Sequence, residues 1–173
     1  MNAESIPFLA EKLSDEDGQT RERARHTLVL IGKPAVPALL DLLESPAKRT
    51  RWEAAKALSE IGDPSSAPAL VGLLADRESD IRWLGAEGLV RVGPSSLPKV
   101  LHALIDQPDS IDVRRGARHV FKEIGAQNKV VKELLAPVIE VIGDTDPTGA
   151  IPPKAEEALE QLESYTRGDL QQW

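Results

Sequence analysis

Three histidines, three tryptophans and no cysteine set the chemistry open to this chain. Without cysteine there is no disulfide, thiolate zinc site or cysteine nucleophile. A metal centre would have to gather imidazoles and carboxylates. His26 and His119 share one phase of a repeating pattern two units apart, so at ~10 Å per stacked helix pair they stand roughly 20 Å from each other. That spacing rules out a shared ion, and His102 lies on a different kind of helix. Asp144-Thr-Asp-Pro-Thr-Gly149 alternates oxygen ligands but lacks the following Glu and the length of a calcium loop. No phosphate-cradling loop, nucleophile elbow or zincin helix occurs. Ser65-Ser66 and Ser95-Ser96 follow prolines in turns and are expected to cap helices. The expectation is no metal, no cofactor and no catalysis. Two tryptophans, Trp52 and Trp83, are the residues best suited to function, because large aromatics dominate binding hot spots and each buries about 150–250 Å².

The chain has 173 residues, 41% hydrophobic and 28% charged, which suits one folded domain. With 21 basic and 28 acidic residues its formal charge is −7, against general nucleic-acid binding. Met1-Asn2-Ala3-Glu4-Ser5 is not basic, and Glu11 and Lys12 interrupt the first apolar stretch, so no signal peptide is read there. No uninterrupted apolar run reaches the ~18 residues of a membrane span. The expected location is cytoplasmic.

A tandem repeat positions the candidate residues. Gly32, Gly62, Gly93 and Gly125 each follow a β-branched residue, and each has an arginine eleven positions earlier: Arg21, Arg51, Arg82 and Arg114. Counted from that arginine, offset 3 is Ala24, Ala54, Gly85 and Ala117, and offset 7 is Leu28, Leu58, Leu89 and Phe121. Offset 10 is the β-branched residue, and offsets 3, 7 and 10 trace one helical face. The glycine is expected to end the helix as a left-handed cap. A shorter helix precedes it, opened by Pro7, Pro37, Pro68 or Pro98 in its first turn. The arginine ladder is read as structural, each guanidinium tying a neighbouring acid or a loop carbonyl.

The units run over about 5–32, 34–62, 64–93 and 94–125, followed by a divergent unit at 126–166. In that last unit, Lys129 to Gly143 contains Pro137, which predicts a break or kink. Residues 144–153 read as a loop, and a helix resumes from Lys154 to Thr166 with Ala155, Leu159 and Leu162 at offsets 3, 7 and 10. Residues 126–173 hold 4 basic and 9 acidic residues, as expected of an acidic capping unit. The whole of 1–173 is thus expected to be one all-α domain, a right-handed α-solenoid of about five helix pairs.

The stretches Arg51-Trp-Glu-Ala-Ala-Lys-Ala-Leu-Ser-Glu-Ile-Gly62 and Asp80-Ile-Arg-Trp-Leu-Gly-Ala-Glu-Gly-Leu-Val-Arg-Val-Gly93 resemble the HEAT-like repeats named after phycobilisome lyases. The resemblance covers residues 5–125 well and 126–166 weakly. It implies that the second helices line a concave groove, with offsets 1, 2, 5 and 9 looking into it. Carried across, the groove comprises Glu22, Arg23, His26, Trp52, Glu53, Lys56, Glu60, Trp83, Leu84, Glu87, Arg91, Arg115, His119 and Glu123. Related deoxyhypusine hydroxylases hold iron with His-Glu dipeptides, but here Thr27, Ala103 and Val120 follow the three histidines.

The mixed charge of that face, bearing two aromatics, fits a protein better than a nucleic acid. The expected function is a non-enzymatic scaffold or adaptor for a protein partner, with no membrane association. Trp52, Trp83, Leu84 and Arg115 are its expected anchors. The family name implies an alternative, a subunit of a bilin lyase or isomerase complex holding a tetrapyrrole between Trp52 and Trp83. Nucleic-acid binding by the arginine-bearing helices is a third reading.

Overall fold

A computed structural model describes residues 5–143 and 149–166 and divides the chain into two compact units meeting at the Val92–Gly93 junction. The described residues are helical, joined by short turns. The first unit holds α1 (Ile6–Lys12), α2 (Gly18–Ile31), α3 (Val36–Leu42), α4 (Lys48–Ile61), α5 (Ala67–Leu73) and α6 (Ser79–Val92). Each short helix packs on the long one that follows it, and the long helices stack α2 on α4 on α6. This is the helix-pair array of an α-solenoid. Pro7, Pro37 and Pro68 stand in the first turns of α1, α3 and α5, where a missing N–H costs nothing.

The apolar positions read from the repeat form the core. Leu9, Leu13, Leu28, Leu39, Leu58, Leu70, Leu74, Ile81 and Leu89 are essentially inaccessible to solvent. At offset 3, Ala24, Ala54 and Gly85 are all buried. Gly85 shows why they must be small: a Cβ there would stand 2.8 Å from Leu73 Cβ and 2.9 Å from the Leu70 carbonyl oxygen. Backbones of α5 and α6 approach too closely for anything larger.

The arginine ladder is structural, as the sequence predicts. Each Nη1 donates to the carbonyl six residues earlier: Arg21 to Asp15 at 2.8 Å, Arg51 to Ser45 at 3.1 Å, Arg82 to Asp76 at 2.8 Å and Arg114 to Pro108 at 3.0 Å. Each guanidinium thereby ties down the turn before its own helix. Arg51 also forks onto Asp76 of the next pair, Nε at 3.1 Å and Nη2 at 3.3 Å, from a side chain only 7% exposed. Planar donors matched to a carboxylate and two carbonyls explain why arginine recurs there and lysine does not.

Glycine ends α2 and α4 with positive φ, +72° at Gly32 and +64° at Gly62; Gly62 is a left-handed cap, whereas Gly32 has ψ −136° and is not, and Gly93 follows α6 at φ +79°. Gly125 departs from this expectation. It lies inside α8, which continues to Gln127, and its bare α-carbon admits Lys132 of the following helix. The turn serines also differ from expectation. Asp63, not serine, caps the short turn at Pro64 by accepting from the Ser65 N–H at 2.9 Å. The buried Ser66 and Ser96 hydroxyls donate back to the carbonyls of Asp63 and Gly93.

The second unit holds α7 (Leu97–Asp106), α8 (Ile111–Gln127), α9 (Lys129–Ile142) and α10 (Ile151–Thr166). Its packing closes a cycle: α7 on α8, α8 on α9, α9 on α10, and α10 back on α7. Two expectations are corrected here. The helix α9 runs unbroken through Pro137, which sits on the exposed face, so of the break or kink expected there the break does not occur. The last helix begins at Ile151, with Pro152 and Pro153 in its first turn, so the loop is shorter than 144–153. The helix α10, whose Ala155 and Leu162 fit the second-helix register, lies on the first helix α7, while α9 takes the flank of α8. A single residue, Asn128, joins α8 to α9, and so short a link holds α9 against α8. Residues 144–148, which carry most of the Asp144–Gly149 oxygen pattern, lie outside the described residues.

Candidate binding face of the second helices

In residues 6–92 the expected face is carried by α2, α4 and α6. Arg23 and His26 are exposed on α2, and Lys56 is half-buried on α4, paired with Glu60 at 3.0 Å. On α6, Trp83 is 54% exposed, Glu87 is half-buried and Arg91 is exposed, its stem lying over Gly62. His26, Lys56, Glu60, Trp83, Glu87 and Arg91 share one face because offsets 1, 5 and 9 fall within a narrow arc of a 3.6-residue helix, and Arg23 at offset 2 borders it.

Offset 2 does not belong to that face in α4 and α6. Glu53 is 5% exposed and Leu84 7%, so neither is available to a partner as expected. The reason is the seam between stacked long helices. Arg23 at offset 2 of α2 has no long helix before it in this unit, whereas the same phase in α4 and α6 meets the preceding one. Glu53 accepts from Arg25 Nη1 at 2.5 Å and from Arg21 Nε at 3.1 Å, both on α2. A buried carboxylate between two guanidiniums is a locking element of the stack.

The two tryptophans, alike in register, differ in exposure. Trp52 is half-buried with the Arg25 guanidinium 5.7 Å from its ring centroid, a cation–π contact that pins the indole to the neighbouring helix. Trp83 presents more of its surface. One apolar residue was missed by sequence reasoning: Leu30, at offset 9 of α2, is 87% exposed. Its signal was present, since Glu60 and Arg91 occupy that offset and Leu30 is the apolar exception.

A cavity of about 780 Å³ opens at the turn end of this unit, between Trp52, Arg21, Glu53 and the first turn of α4 at Lys48–Thr50. Trp83 is not among its walls, so this cavity is not a Trp52–Trp83 cleft for a tetrapyrrole. Lys48 is held by Glu78 at 3.1 Å and Asp80 at 3.2 Å, and these carboxylates raise its pKa above the ordinary lysine value. Backbone and hydroxyl donors act oppositely on nearby turn acids. The Thr20 hydroxyl and N–H lower Asp17, the Ser65 hydroxyl and N–H lower Asp63, and the Asp17 N–H with Lys12 lowers Asp15.

In the second unit, Arg115 and Glu123 are exposed on α8 and His119 is half-buried, with Asp112 3.7 Å from Arg115. His102 is exposed on α7, its Nδ1 2.6 Å from the Pro98 carbonyl oxygen. Among the described residues no cluster of three His, Asp or Glu side chains could hold a metal ion.

Residues 6–90 match the HEAT-repeat family. The match spans a little under half of the chain. Among solved structures, the fold is similar to a chain of the CpcE–CpcF complex of phycocyanin lyase from Nostoc sp. PCC7120, with TM-score 0.56 and 22% identity over 88% of this chain and 96% of that one. An engineered protein gives TM-score 0.48 and 21% identity over 92% of this chain and 81% of its own. A designed armadillo repeat protein gives 0.48 and 16% over 91% and 100%. No curated protein sequence matches the chain.

Proposed function

We propose that this HEAT-repeat chain is a non-enzymatic scaffold of the cytoplasm that binds a protein partner on the long-helix face of residues 18–92. The observation that carries the reading is Trp83, a large aromatic 54% exposed on a regular array whose other tryptophan in the same register is pinned by Arg25. Leu30 adds apolar area on α2, and Arg23, His26, Arg91 and the Lys56–Glu60 pair surround it with both signs of charge. An aromatic anchor with a mixed polar rim is the composition of protein–protein hot spots. Arg115, His119 and Glu123 are proposed as further partner contacts on α8. No described helix is long and apolar enough to cross a membrane.

The test is capture from source lysate with the intact chain, Trp83→Ala and Trp52→Ala as baits, each checked for unchanged helicity. The reading expects a retained protein that Trp83→Ala loses. Equal retention by folded Trp83→Ala bait would refute it.

A second reading makes the chain a subunit of a bilin-lyase-type complex. Its support is the fold likeness to a phycocyanin lyase chain and the cavity beside Trp52. Two arginines line that wall: Arg21 is already engaged by two carbonyls and Glu53, whereas Arg49 is exposed and would be the one to meet a propionate. A shift of bilin absorbance on adding the chain would favour this reading over the scaffold.

A further inference from the structure

The seam between successive long helices in residues 6–92 uses two register positions, four and eight after the recurring arginine. In α2 offset 4 is Arg25, which reaches Glu53 and Trp52 of α4. In α4 the two positions are Ala55 and Ser59, both buried, and a Cβ on Gly88 of α6 would stand 3.2 Å from Ser59 Cα. A helix therefore sits on this face of α2 and of α4.

In α8 the same two positions are Arg118 and Lys122, and both are exposed. The helix α9 meets α8 where Lys132 crosses Gly125, at the C-terminal end of this stripe, and leaves Arg118 and Lys122 exposed, while α10 packs on α7 and α9. Neither Arg118 nor Lys122 forms an ion pair among the described residues. Ile111, 62% exposed, and Arg115 extend the stripe, since 111, 115, 118 and 122 recur at helical spacing along about 16 Å of α8. Residues 111–132 hold six basic and two acidic residues in a chain whose net charge is −7. The positions covered by a neighbouring helix in α2 and α4 are here both cationic and exposed.

We propose that this face of α8 seats an acidic helix of a partner protein. Offsets 4 and 8 take a helix in the preceding repeats, and the cations exposed at those offsets here match carboxylates spaced three and four residues apart. Arginine and lysine stems supply apolar cover beneath the charges. Asp112 and Glu123 flank the stripe, and the negative charge of the whole chain opposes a polyphosphate, so a protein helix fits better than nucleic acid.

The test uses the full chain and a fluorescein-labelled, alanine-based 18-residue peptide with Glu at positions 3, 7, 10 and 14, read by fluorescence anisotropy at low salt. The expected result is saturable binding that weakens at least ten-fold in Arg118→Glu/Lys122→Glu and weakens as salt rises. Lys33→Glu/Lys99→Glu makes the same charge change at exposed lysines elsewhere and is expected to keep affinity within about two-fold. Circular dichroism of both variants secures the comparison. Equal binding by wild type and the Arg118/Lys122 variant, or equal loss in the two variants, would overturn the proposal. So would tighter binding of single-stranded RNA of equal charge, or self-association abolished by Arg118→Glu/Lys122→Glu, which would make a second copy the occupant.

Discussion

Removing the Glu53 carboxylate isolates what locks the first two helix pairs together. Its side chain is 7% exposed and is held by Arg25, 11% exposed, and Arg21, 16% exposed. In Glu53→Ala, Arg21 keeps its bonds to the Asp15 and Glu16 carbonyls, so the loss falls on Arg25. Arg25 Nε is already buried without an acceptor, and the guanidinium would retain only the Trp52 ring. Stranding a buried charge costs about 3–5 kcal/mol, and that is the expected destabilisation. Glu53→Gln keeps an acceptor without the charge and should lose about 1.5–3 kcal/mol. Replacing both partners, Arg25→Met with Glu53→Leu, removes the buried charge along with its counterion and should be more stable than Glu53→Ala alone. Urea unfolding followed by far-ultraviolet circular dichroism and tryptophan fluorescence gives these differences. A loss below about 1 kcal/mol in Glu53→Ala, or a double variant as unstable as the sum of its singles, would refute the locking role.

Other consequences follow from the same packing. Gly85→Ala places a Cβ against Leu73 and the Leu70 carbonyl and should cost about 1–3 kcal/mol by thermal or urea unfolding, with α5 pushed from α6. Arg51→Lys cannot reproduce the fork onto Asp76 together with two carbonyl bonds, and should lose about 1.5–3 kcal/mol in the same assay. Asp15, Asp17 and Asp63 have folded pKa values below 3.8, so their contribution to stability is present above that pH and is lost as pH falls through the lowered values. Melting temperatures taken from pH 5 to 2 should fall in that window, and Asp17→Asn should flatten part of the fall.

Most of the array was legible because the same physics repeats. Proline in first turns, small residues at offset 3 and a large apolar residue at offset 7 each answer a local need that recurs from pair to pair. The arginine ladder was legible for the same reason, since the turn it clasps has constant length. The site was read less completely. An offset on a helical wheel cannot distinguish open groove from seam, so Glu53 and Leu84 looked exposed until the neighbouring helix was in place. Trp52 and Trp83 share a register but differ in how far the neighbouring helix covers them, half-buried against Arg25 in one case and 54% exposed in the other. Leu30 was passed over although its offset marked it. The end of the chain misled because a one-residue link after α8, and not the apolar pattern of α10, decides which helix packs where.

The proposal that Trp83 anchors a protein partner is tested most directly by photocrosslinking. A p-benzoylphenylalanine at position 83 should form one dominant crosslinked species in source lysate, competed away by excess unmodified chain. The same group at Gly72, exposed on the short helix α5, should form none. Crosslinking from position 72 but not from 83, or from neither, would contradict the proposal.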